Sequence, residues 1–521
     1  MSMQITSVLR RAAQIRPMGT ATVYQDRQQT WSQLLDRVAR LAGALQGLGV
    51  APGDRVALLA LNSDRYVEYF FGTVWAGAAM MPMNIRWAPA ECAYALNDAG
   101  ATVLLVDDAF APKAAEITAQ TPGVKTLIFC GDGPTPEGML SYEDLIAGAA
   151  PAPDANRSGD DLAGIFYTGG TTGFPKGVML SHTNFYVGGI SNSEAIGLRD
   201  GTRYLHAAPM FHIADLLYFM AITFAAGTHV VIPMFTPDGT LEAIEAHKPS
   251  HILLVPVMLQ MVLNSENFDK YDTSSLRMIT YGASPITEGV LSMAFEKFPG
   301  VEFLQAFGQT ELSPVATILA ASHHTPEGMA SGKLRAAGQA TRVCEIRIVD
   351  AGNTELPRGE IGQIAVKGPI TMLGYWNKPD VTAETIIDGW VMTGDAGYMD
   401  DEGFVFLMDR VKDMIVSGGE NVYSAEVENA LSQHPAVATS AVIGIPSDQW
   451  GEAVHALVIL HPDADASEQE LKDHCHTLIA GYKCPRSIEY RTDPFPLSGA
   501  NKVLKTELRK PYWDGQDRQI S

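Results

Sequence analysis

The sequence has few cysteines and an excess of acidic residues. Among its 521 residues are five cysteines, namely Cys92, Cys130, Cys344, Cys475 and Cys484. Their spacing matches neither a zinc site nor a disulfide framework, so we predict reduced thiols and a cytoplasmic location. With 37 Lys and Arg residues against 59 Asp and Glu residues, the net charge is −22. This charge argues against general nucleic-acid binding, because the chain would repel phosphate groups.

The chain also has little that would indicate a membrane span. Its most apolar stretch, residues 216–234, has sufficient length, but Gly227, Thr228 and His229 interrupt it. The stretch therefore predicts a buried helix followed by a strand rather than a span. Residues 1–16 show no long apolar core and no cleavage site, so we expect no signal peptide.

What the sequence does contain is a repeated alternation of strand and helix patterns. Residues 55–60 and 102–106 are typical of strands, and residues 66–75 between them are typical of a helix. A second block, residues 216–281, repeats the alternation. Alternation of this kind predicts parallel sheets covered by helices. Two such blocks predict two α/β layers packed together.

The pattern changes after about Arg335. Strand-like segments at 345–349, 362–366 and 403–408 are separated by turns, which predicts a smaller β-rich subdomain. The predicted fold class is therefore α/β. It comprises a large N-terminal domain of two α/β layers plus the β-rich subdomain, followed by a small α+β C-terminal domain.

A capping box marks a helix in the C-terminal domain. Residues 467–470 have the sequence Ser-Glu-Gln-Glu, which caps a helix N-terminus. Four apolar residues are expected to share its buried face, namely Leu471, Cys475, Leu478 and Ile479. His474 and His476 flank Cys475, and we do not expect them to bind a metal, because such neighbours do not face one another on a helix.

The strongest functional signal lies in residues 167–177, with the sequence Tyr-Thr-Gly-Gly-Thr-Thr-Gly-Phe-Pro-Lys-Gly. The glycines let backbone amides bend towards an anion. The threonine hydroxyls add hydrogen-bond donors, and Lys176 adds a positive charge. The segment therefore predicts a phosphate-binding loop, with a flexible surface loop as the alternative. It is not a Walker loop, which needs Ser or Thr after the lysine, because Gly177 stands there.

This segment resembles the signature of the adenylate-forming superfamily, which includes acyl-CoA synthetases, aryl-CoA ligases, luciferases and peptide-synthetase adenylation domains. The resemblance extends from about residue 30 to residue 509, with further motifs in the expected order. It implies that the segment binds the phosphates of ATP and that Thr168 contributes to a Mg²⁺ site. The implied nucleotide-binding residues are Thr168, Gly169, Gly170, Thr171, Thr172, Gly173 and Lys176. The superfamily usually has Ser at position 169, so a backbone amide would replace that contact.

A second motif resembles the superfamily's adenine and α-phosphate segment. In Gly-Gln-Thr-Glu at 308–311, the resemblance assigns Thr310 to the α-phosphate and Glu311 to Mg²⁺. Phe307 replaces the usual tyrosine and would pack on adenine beside Gly308. Residues 282–284, which are Gly282, Ala283 and Ser284, are expected to line the same nucleotide site.

The ribose site is expected at the Thr-Gly-Asp motif of residues 393–395. A carboxylate can accept a hydrogen bond from each of two vicinal hydroxyls, which suits Asp395 to this role. The resemblance places Arg410 beside Asp395. A surface ion pair between Asp409 and Arg410 is the alternative, since such pairs are common.

The resemblance also implies a mobile C-terminal domain. We predict an N-terminal adenylation domain at 1–410, which holds the ATP and acyl sites, and a mobile domain at 411–521 that turns about Lys412. Ser417, Gly418 and Gly419 would then meet the pantetheine arm of coenzyme A. Glycine allows such close approach to the backbone.

The catalytic lysine is expected at Lys502. It stands in Asn-Lys at 501–502, where the superfamily has Gly-Lys. Asn tolerates the same left-handed backbone. During adenylation, negative charge moves from the carboxylate and α-phosphate towards pyrophosphate, and an ammonium group stabilises that charge.

The acyl side is less specific. The segment Pro-Met-Phe-His at 209–212 resembles one that lines the acyl channel, and His212 is expected there as a gate or charge partner, with a structural histidine as the alternative. Val257, Met258 and Gly282 complete the expected pocket. Its apolar character suits a fatty or aryl acid.

The resemblance implies an AMP-forming acid–CoA ligase whose partners are a carboxylic acid, ATP with Mg²⁺, and CoA. Three alternatives stay open, namely a luciferase-like oxygenase, a ligase that loads a carrier protein, and an inactive nucleotide-binding protein. The chain length of the acid is open, and a homodimer is compatible with the sequence.

Overall fold

The computed structural model describes residues 3–168, 175–284, 286–410, 413–418, 420–447, 449–497 and 503–513. The side chains of residues 217, 409, 410 and 421 also lie outside this description. Eight of the predicted site residues fall outside the described ranges, namely Gly169, Gly170, Thr171, Thr172, Gly173, Lys412, Gly419 and Lys502.

The first part of the chain alternates short strands with helices. Its elements are α1 Ile5–Ile15, β1 Thr20–Tyr24, β2 Arg27–Thr30, α2 Trp31–Gly47, β3 Arg55–Leu59, α3 Asp64–Trp75, β4 Ala79–Pro82, α4 Pro89–Ala99, β5 Val103–Val106, α5 Ala111–Thr118, β6 Thr126–Phe129, β7 Leu140–Ser141 and α6 Tyr142–Gly148.

The middle of the chain repeats the alternation. Its elements are β8 Leu162–Thr168, β9 Lys176–Ser181, α7 His182–Ala195, β10 Arg203–His206, α8 Ile213–Phe224, β11 Thr228–Val231, α9 Pro237–His247, β12 His251–Leu253, α10 Pro256–Leu263, β13 Met278–Gly282, α11 Glu288–Lys297, β14 Glu302–Phe307, β15 Thr317–Leu319, α12 Pro326–Ala330 and β16 Gln339–Ala340. Single 3-10 turns lie at Phe268–Lys270, Thr310–Leu312, Ala321–His323 and Lys333–Arg335.

The last part is richer in strands. Its elements are β17 Glu345–Val349, β18 Gly362–Lys367, β19 Gly374–Tyr375, α13 Pro379–Thr385, β20 Ile386–Ile387, β21 Trp390–Met399, β22 Val405–Arg410, β23 Ile415–Ser417, β24 Glu420–Val422, α14 Ser424–Ser432, β25 Val437–Ser447, β26 Gly451–Leu460, α15 Glu468–Leu478, β27 Ser487–Tyr490 and α16 Lys505–Trp513.

Two large sheets form the N-terminal part, as the alternation predicted. One has the strand order β16-β15-β14-β13-β12-β10-β11-β1-β2, and the other β19-β9-β8-β4-β3-β5-β6-β7. Their inner strands are parallel, as in β12–β13 and β3–β5. The layers meet where Phe70 and Phe71 of α3 pack on Phe219 of α8, with ring centroids 4.9 and 5.0 Å apart. The predicted pair of α/β layers is therefore confirmed.

Two smaller sheets follow. The order β17-β18-β21-β20, with β22 beside β21, forms the predicted β-rich subdomain. Its last strand was predicted at 403–408 and is found at Val405–Arg410. The order β24-β23-β26-β25, with β27 beside β26, forms the C-terminal sheet, on which α14 and α15 pack. The predicted large and small α/β parts are thus present, and the boundary at residue 410 stays a prediction.

The apolar stretch at 216–234 folds as predicted, with helix α8 followed by strand β11. No helix within the described ranges combines the length and apolar character needed to cross a bilayer.

The capping box of α15 is present, since the Ser467 hydroxyl accepts from the Glu470 amide. Leu471 and Cys475 are buried as predicted. The prediction that Leu478 shares this face is wrong, because its side chain is 45% exposed. Leu478 is the last residue of the helix, and Ile479, the extended C-cap residue that follows it, packs against the apolar cluster as predicted.

Candidate active site

The predicted phosphate loop joins the two strands of an antiparallel hairpin. Strands β8 and β9 pair with Thr168 opposite Lys176, so the two described residues that flank the segment are held by the sheet. The base of the hairpin is anchored by Tyr167, whose hydroxyl donates to Asp98 Oδ2 at 2.6 Å. Burial and then this carboxylate raise the pKa of Tyr167 above its ordinary value. The phenol therefore stays a hydrogen-bond donor at neutral pH.

Two glycines mark the ends of the neighbouring parallel strands β13 and β14. A Cβ at Gly282 would lie 2.0 Å from the carbonyl oxygen of Ala306, and one at Gly308 would lie 1.9 Å from that of Pro314. Any side chain at either position would displace backbone. The structure thus brings the predicted segments 282–284 and 307–311 to one edge of a sheet. The carboxyl edge of an α/β sheet is where ligands bind.

Thr310 and Glu311 lie in the 3-10 turn directly after β14 and are 6% and 9% exposed. The Tyr375 hydroxyl donates to Glu311 Oε1 at 2.7 Å. The Lys176 ammonium lies 4.9 Å from the centroid of the Tyr375 ring. The end of the phosphate hairpin in one large sheet is therefore next to the acidic motif that follows the other large sheet.

The predicted ribose motif lies in the β-rich subdomain. The Thr393 hydroxyl donates to the Ile364 carbonyl at 2.8 Å and accepts from the Asp395 amide at 3.1 Å, which fixes the backbone before the carboxylate. In the β21–β22 ladder, residue 395 stands opposite residue 410. Phe307 shares a buried apolar cluster with Ile364 of this subdomain. The adenine motif after β14 and the subdomain that carries the ribose motif thus pack against each other.

His212 is the N-cap of α8, and its Nδ1 accepts from the Ala214 amide at 3.2 Å. The segment before it is held by Asn62, which donates to the Ala208 carbonyl at 2.9 Å and accepts from the Met210 amide at 2.8 Å. The position of His212 is therefore set by contacts between a segment that follows a strand of one large sheet and a segment that follows a strand of the other.

Val257 and Met258, predicted together in the acyl pocket, lie in different environments on α10. Met258 is 1% exposed within the apolar core. Val257 lines a surface cavity of 580 Å³ together with Pro237 of α9 and Met261. Of the predicted acyl residues, the structure brings only Val257 to this cavity.

The described part of the predicted CoA segment lies at the end of β23, where Ser417 pairs with both β24 and β26. Ser417 is buried, and Gly418 has a positive φ of 63°. The Gly418 amide donates to the Trp450 carbonyl at 2.8 Å. A Cβ at Gly418 would lie 2.9 Å from the Trp450 ring, so this tight contact requires glycine.

The donor chemistry fits a magnesium ion that is held largely by a nucleotide. The described residues contain no group of three or more His, Cys, Asp or Glu side chains suited to a metal. Mg²⁺ in phosphate-transfer sites needs only one or two carboxylates in addition to substrate phosphates and water. A carboxylate has about four lone-pair sites, and Tyr375 uses one of those on Glu311.

Three residues at the site were missed from sequence, namely Asn62, Asp98 and Tyr375. Each acts through long-range contacts, such as the bond from Tyr375 to Glu311 sixty-four positions away. The Gly-Tyr dipeptide that contains Tyr375 does not indicate from sequence that this side chain contacts Glu311.

Comparison with known proteins places the chain in a family. Residues 9–376 match the family described as AMP-binding enzyme, and residues 426–502 match the AMP-binding enzyme C-terminal domain. The chain therefore belongs to the AMP-binding enzyme family, which confirms the predicted superfamily and its α/β fold.

Relatives are similar along almost the whole chain. The fatty acid–[acyl-carrier-protein] ligase ScoC of Streptomyces coeruleorubidus is 35% identical, over 98% of this chain and 96% of its own. A feruloyl-CoA synthase of an Amycolatopsis species is 36% identical, over 96% and 98%. The crystal structure of the anthranilate CoA ligase AuaEII with anthranoyl-AMP superposes with a TM-score of 0.91 at 28% identity, covering 98% of this chain and 97% of that one.

Proposed function

We propose that this chain is an AMP-forming acid–CoA ligase that converts a fatty or aryl acid into its acyl-adenylate and then into its CoA thioester. The observation that supports this best is the meeting of Lys176, Tyr375 and Glu311. It joins the phosphate hairpin to the acidic motif in a chain of the AMP-binding enzyme family. ATP and CoA are the co-substrates.

In the first half-reaction, a carboxylate oxygen of the acid attacks the α-phosphorus of ATP and pyrophosphate leaves. Lys176 and residues 168–173 hold the departing phosphates, and Thr310 contacts the α-phosphate. Lys502 stabilises the charge that moves onto the leaving group. Glu311 and Thr168 would hold Mg²⁺, which would neutralise phosphate charge.

The nucleoside is held by residues that converge after β14 and in β21. Phe307, Gly308 and residues 282–284 contact adenine, and Asp395 with Arg410 binds the ribose hydroxyls. Correct placement of the two reactants supplies much of the rate enhancement.

In the second half-reaction, the C-terminal domain, residues 411–521, turns about Lys412 and withdraws Lys502. Coenzyme A enters past residues 417–419, its thiolate attacks the acyl carbonyl, and AMP leaves. The N-terminal domain, residues 1–410, keeps the adenylate bound in the meantime.

The acid is expected to be apolar. His212, Gly282, Val257 and Met258 line or adjoin its pocket, and relatives act on fatty, feruloyl and anthranilate substrates by their names. All five cysteines are free thiols, which supports a reducing, cytoplasmic location. A homodimer is compatible with this function.

Mass spectrometry of reaction products tests the function. The protein is incubated with magnesium-ATP and a panel of fatty and aryl acids, with and without CoA. We expect acyl-CoA plus AMP with CoA, and acyl-adenylate alone without it. The absence of adenylate from every acid would contradict the proposal.

A Lys502→Ala variant tests the division of labour between the half-reactions. Adenylation is expected to fall below detection, whereas supplied acyl-adenylate is still converted to thioester. Loss of both half-reactions in a folded variant would contradict the assignment of Lys502.

A second candidate is a ligase that loads a carrier protein, which the similarity to ScoC favours. Offering CoA and a phosphopantetheinylated carrier protein in parallel separates the two. Adenylate that is consumed only by the carrier would establish this alternative.

A further inference from the structure

Tyr375 lies outside every motif assigned above, yet it occupies the junction of the two large sheets. It belongs to the two-residue strand β19, which pairs with β9 so that Tyr375 stands opposite Val178. Its side chain is 6% exposed and packs in the main apolar cluster. The backbone of β19 is thus fixed to the phosphate hairpin itself.

The Tyr375 side chain contacts both charged groups of the candidate site. Its hydroxyl donates to Glu311 Oε1 at 2.7 Å, and hydrogen bonds to ionised acceptors are among the strong ones. Its ring receives the Lys176 ammonium at 4.9 Å from the centroid, a favourable cation–π distance. One side chain therefore restrains the carboxylate and the ammonium together.

The backbone of Glu311 is held from the same direction. The Met372 amide donates to the Glu311 carbonyl at 2.9 Å, and Met372 lies just before β19. Main chain and side chain of Glu311 are thus both fixed by the segment 372–375. An acidic group that binds a metal needs such orientation, because partners of a ligand set its geometry.

We infer that Tyr375 is a positioning residue for the Mg²⁺–ATP complex, which orients the Glu311 carboxylate and holds Lys176 beside it. The inference rests on the proposed roles of Glu311 and Lys176 in nucleotide binding. It predicts that the Tyr375 hydroxyl matters for metal-dependent ATP affinity, whereas ATP without metal is bound independently of it.

The chain contains a matched control. The hydroxyl of Tyr142 donates to Glu68 Oε2, also at 2.7 Å, in a buried setting. Glu68 also pairs with Arg37 of α2, and neither α2 nor α6, which carries Tyr142, contains a predicted site residue. Tyr142→Phe therefore removes an equivalent tyrosine–glutamate bond without touching the candidate site.

The experiment is calorimetric titration of the full-length protein with ATP, once in Mg²⁺ and once in EDTA. For Tyr375→Phe we expect the affinity in Mg²⁺ to fall about tenfold, as fits the loss of a hydrogen bond to a charged group, and the affinity in EDTA to stay at the wild-type value. Tyr142→Phe is expected to keep both affinities. An equal loss with and without Mg²⁺, or no loss, would overturn the inference.

A double-variant cycle tests whether Tyr375 acts through Glu311. Glu311→Gln is expected to reduce the Mg²⁺-dependent affinity, and adding Tyr375→Phe is expected to change it by less than twofold, since coupled residues are not additive. Full additivity would refute the inference. Binding needs no acid, so these results decide the role of Tyr375 even if no tested acid is adenylated.

Discussion

At the scale of single residues, Gly308 is the position where the site tolerates least change. Because a Cβ there would lie 1.9 Å from the Pro314 carbonyl oxygen, Gly308→Ala must displace the backbone that leads into Thr310. We expect a loss of about 2 kcal/mol in the free energy of unfolding, as for other overpacked positions, and a clear rise in the KM for ATP. Urea denaturation and adenylation kinetics measure the two effects.

Gly289 supplies the control for this substitution. It lies in α11, and a Cβ there meets nothing within 4 Å. Gly289→Ala should therefore stabilise the protein slightly, by up to about 1 kcal/mol, because alanine favours a helix over glycine. If Gly308→Ala also left stability and KM unchanged, the close approach to Pro314 would be refuted.

The thiols give a second test at this scale. Cys92, Cys130, Cys475 and Cys484 are buried, and burial raises the pKa of Cys92 and of Cys475 to about 12. Since the thiolate is the reactive form, we expect a thiol reagent at pH 8 to label at most Cys344 in the native protein and all the cysteines in denaturant. Labelling of the folded Cys344→Ser variant would contradict the burial of the other four cysteines.

Residue roles were predictable from sequence only where the chemistry is local. The glycines and threonines around Lys176 form a contiguous pattern, and Cys475 follows from helical periodicity. Tyr375 could not be found in this way, because its contacts with Glu311 and Lys176 exist only after two sheets have packed. The apolar pattern does not show that the chain leaves the helix after Leu478, so that Ile479 rather than Leu478 packs against the apolar cluster.

At the scale of elements, polar side chains of helix α16 bind it to neighbouring segments of the C-terminal part, among them the segment before β23. Arg509 Nη2 lies 2.6 Å from Asp413 Oδ1, with side chains 10% and 19% exposed. Removing one partner leaves the other charge largely buried, which is costly. We expect Arg509→Leu to lower the free energy of unfolding by about 2 kcal/mol in urea titrations, with partial recovery when Asp413→Asn is added.

The same helix carries its own control. Lys510 pairs with Glu507 at 2.6 Å, but their side chains are 68% and 46% exposed. Exposed ion pairs contribute little, so Lys510→Leu should change stability by less than about 0.5 kcal/mol. If Arg509→Leu and Lys510→Leu lowered the free energy of unfolding equally, burial of the Arg509–Asp413 pair would not contribute to stability.

Long elements could be predicted from sequence, and the short ones could not. The periodicity in residues 66–75 and 216–224 identified α3 and α8, since helices of this length repeat their pattern several times. Strands β19 and β20 contain two residues each, too few for any alternation to show. Yet β19 carries Tyr375, so the least predictable element holds the two large sheets together at the site.

At the scale of the whole molecule, the alternation of strands and helices predicted two layers but not which edges meet. Which edges meet depends on two contacts. Strand β19 follows the β-rich subdomain strand β18 in the chain but pairs with β9 of a large sheet, and Phe219 packs against α3. Such contacts depend on shapes that only the folded chain presents. The layers themselves follow from apolar strands that must be covered on both faces.

The response of the whole molecule to acid depends on buried and half-buried histidines, since His182 and His251 are buried and His324 is half-buried. Burial lowers the pKa of His182, His251 and His324 to about 4 in each case. In the unfolded chain their pKa is near 6.5, so between these values the unfolded state binds more protons. The stabilisation is therefore complete above about pH 6.5 and is lost as the pH falls towards 4. Asp107, whose pKa burial raises, acts in the opposite direction.

Each of these histidines should account for about 2 kcal/mol of the stability lost between pH 7 and pH 5. His324→Gln removes one titrating group from beside Tyr281, so the difference in free energy of unfolding between the two pH values should shrink by about that amount. His476→Gln, at an exposed position of α15, should leave the difference unchanged. Urea titrations at both pH values measure it. A wild-type difference retained in His324→Gln would mean that another group sets the acid limit of the fold.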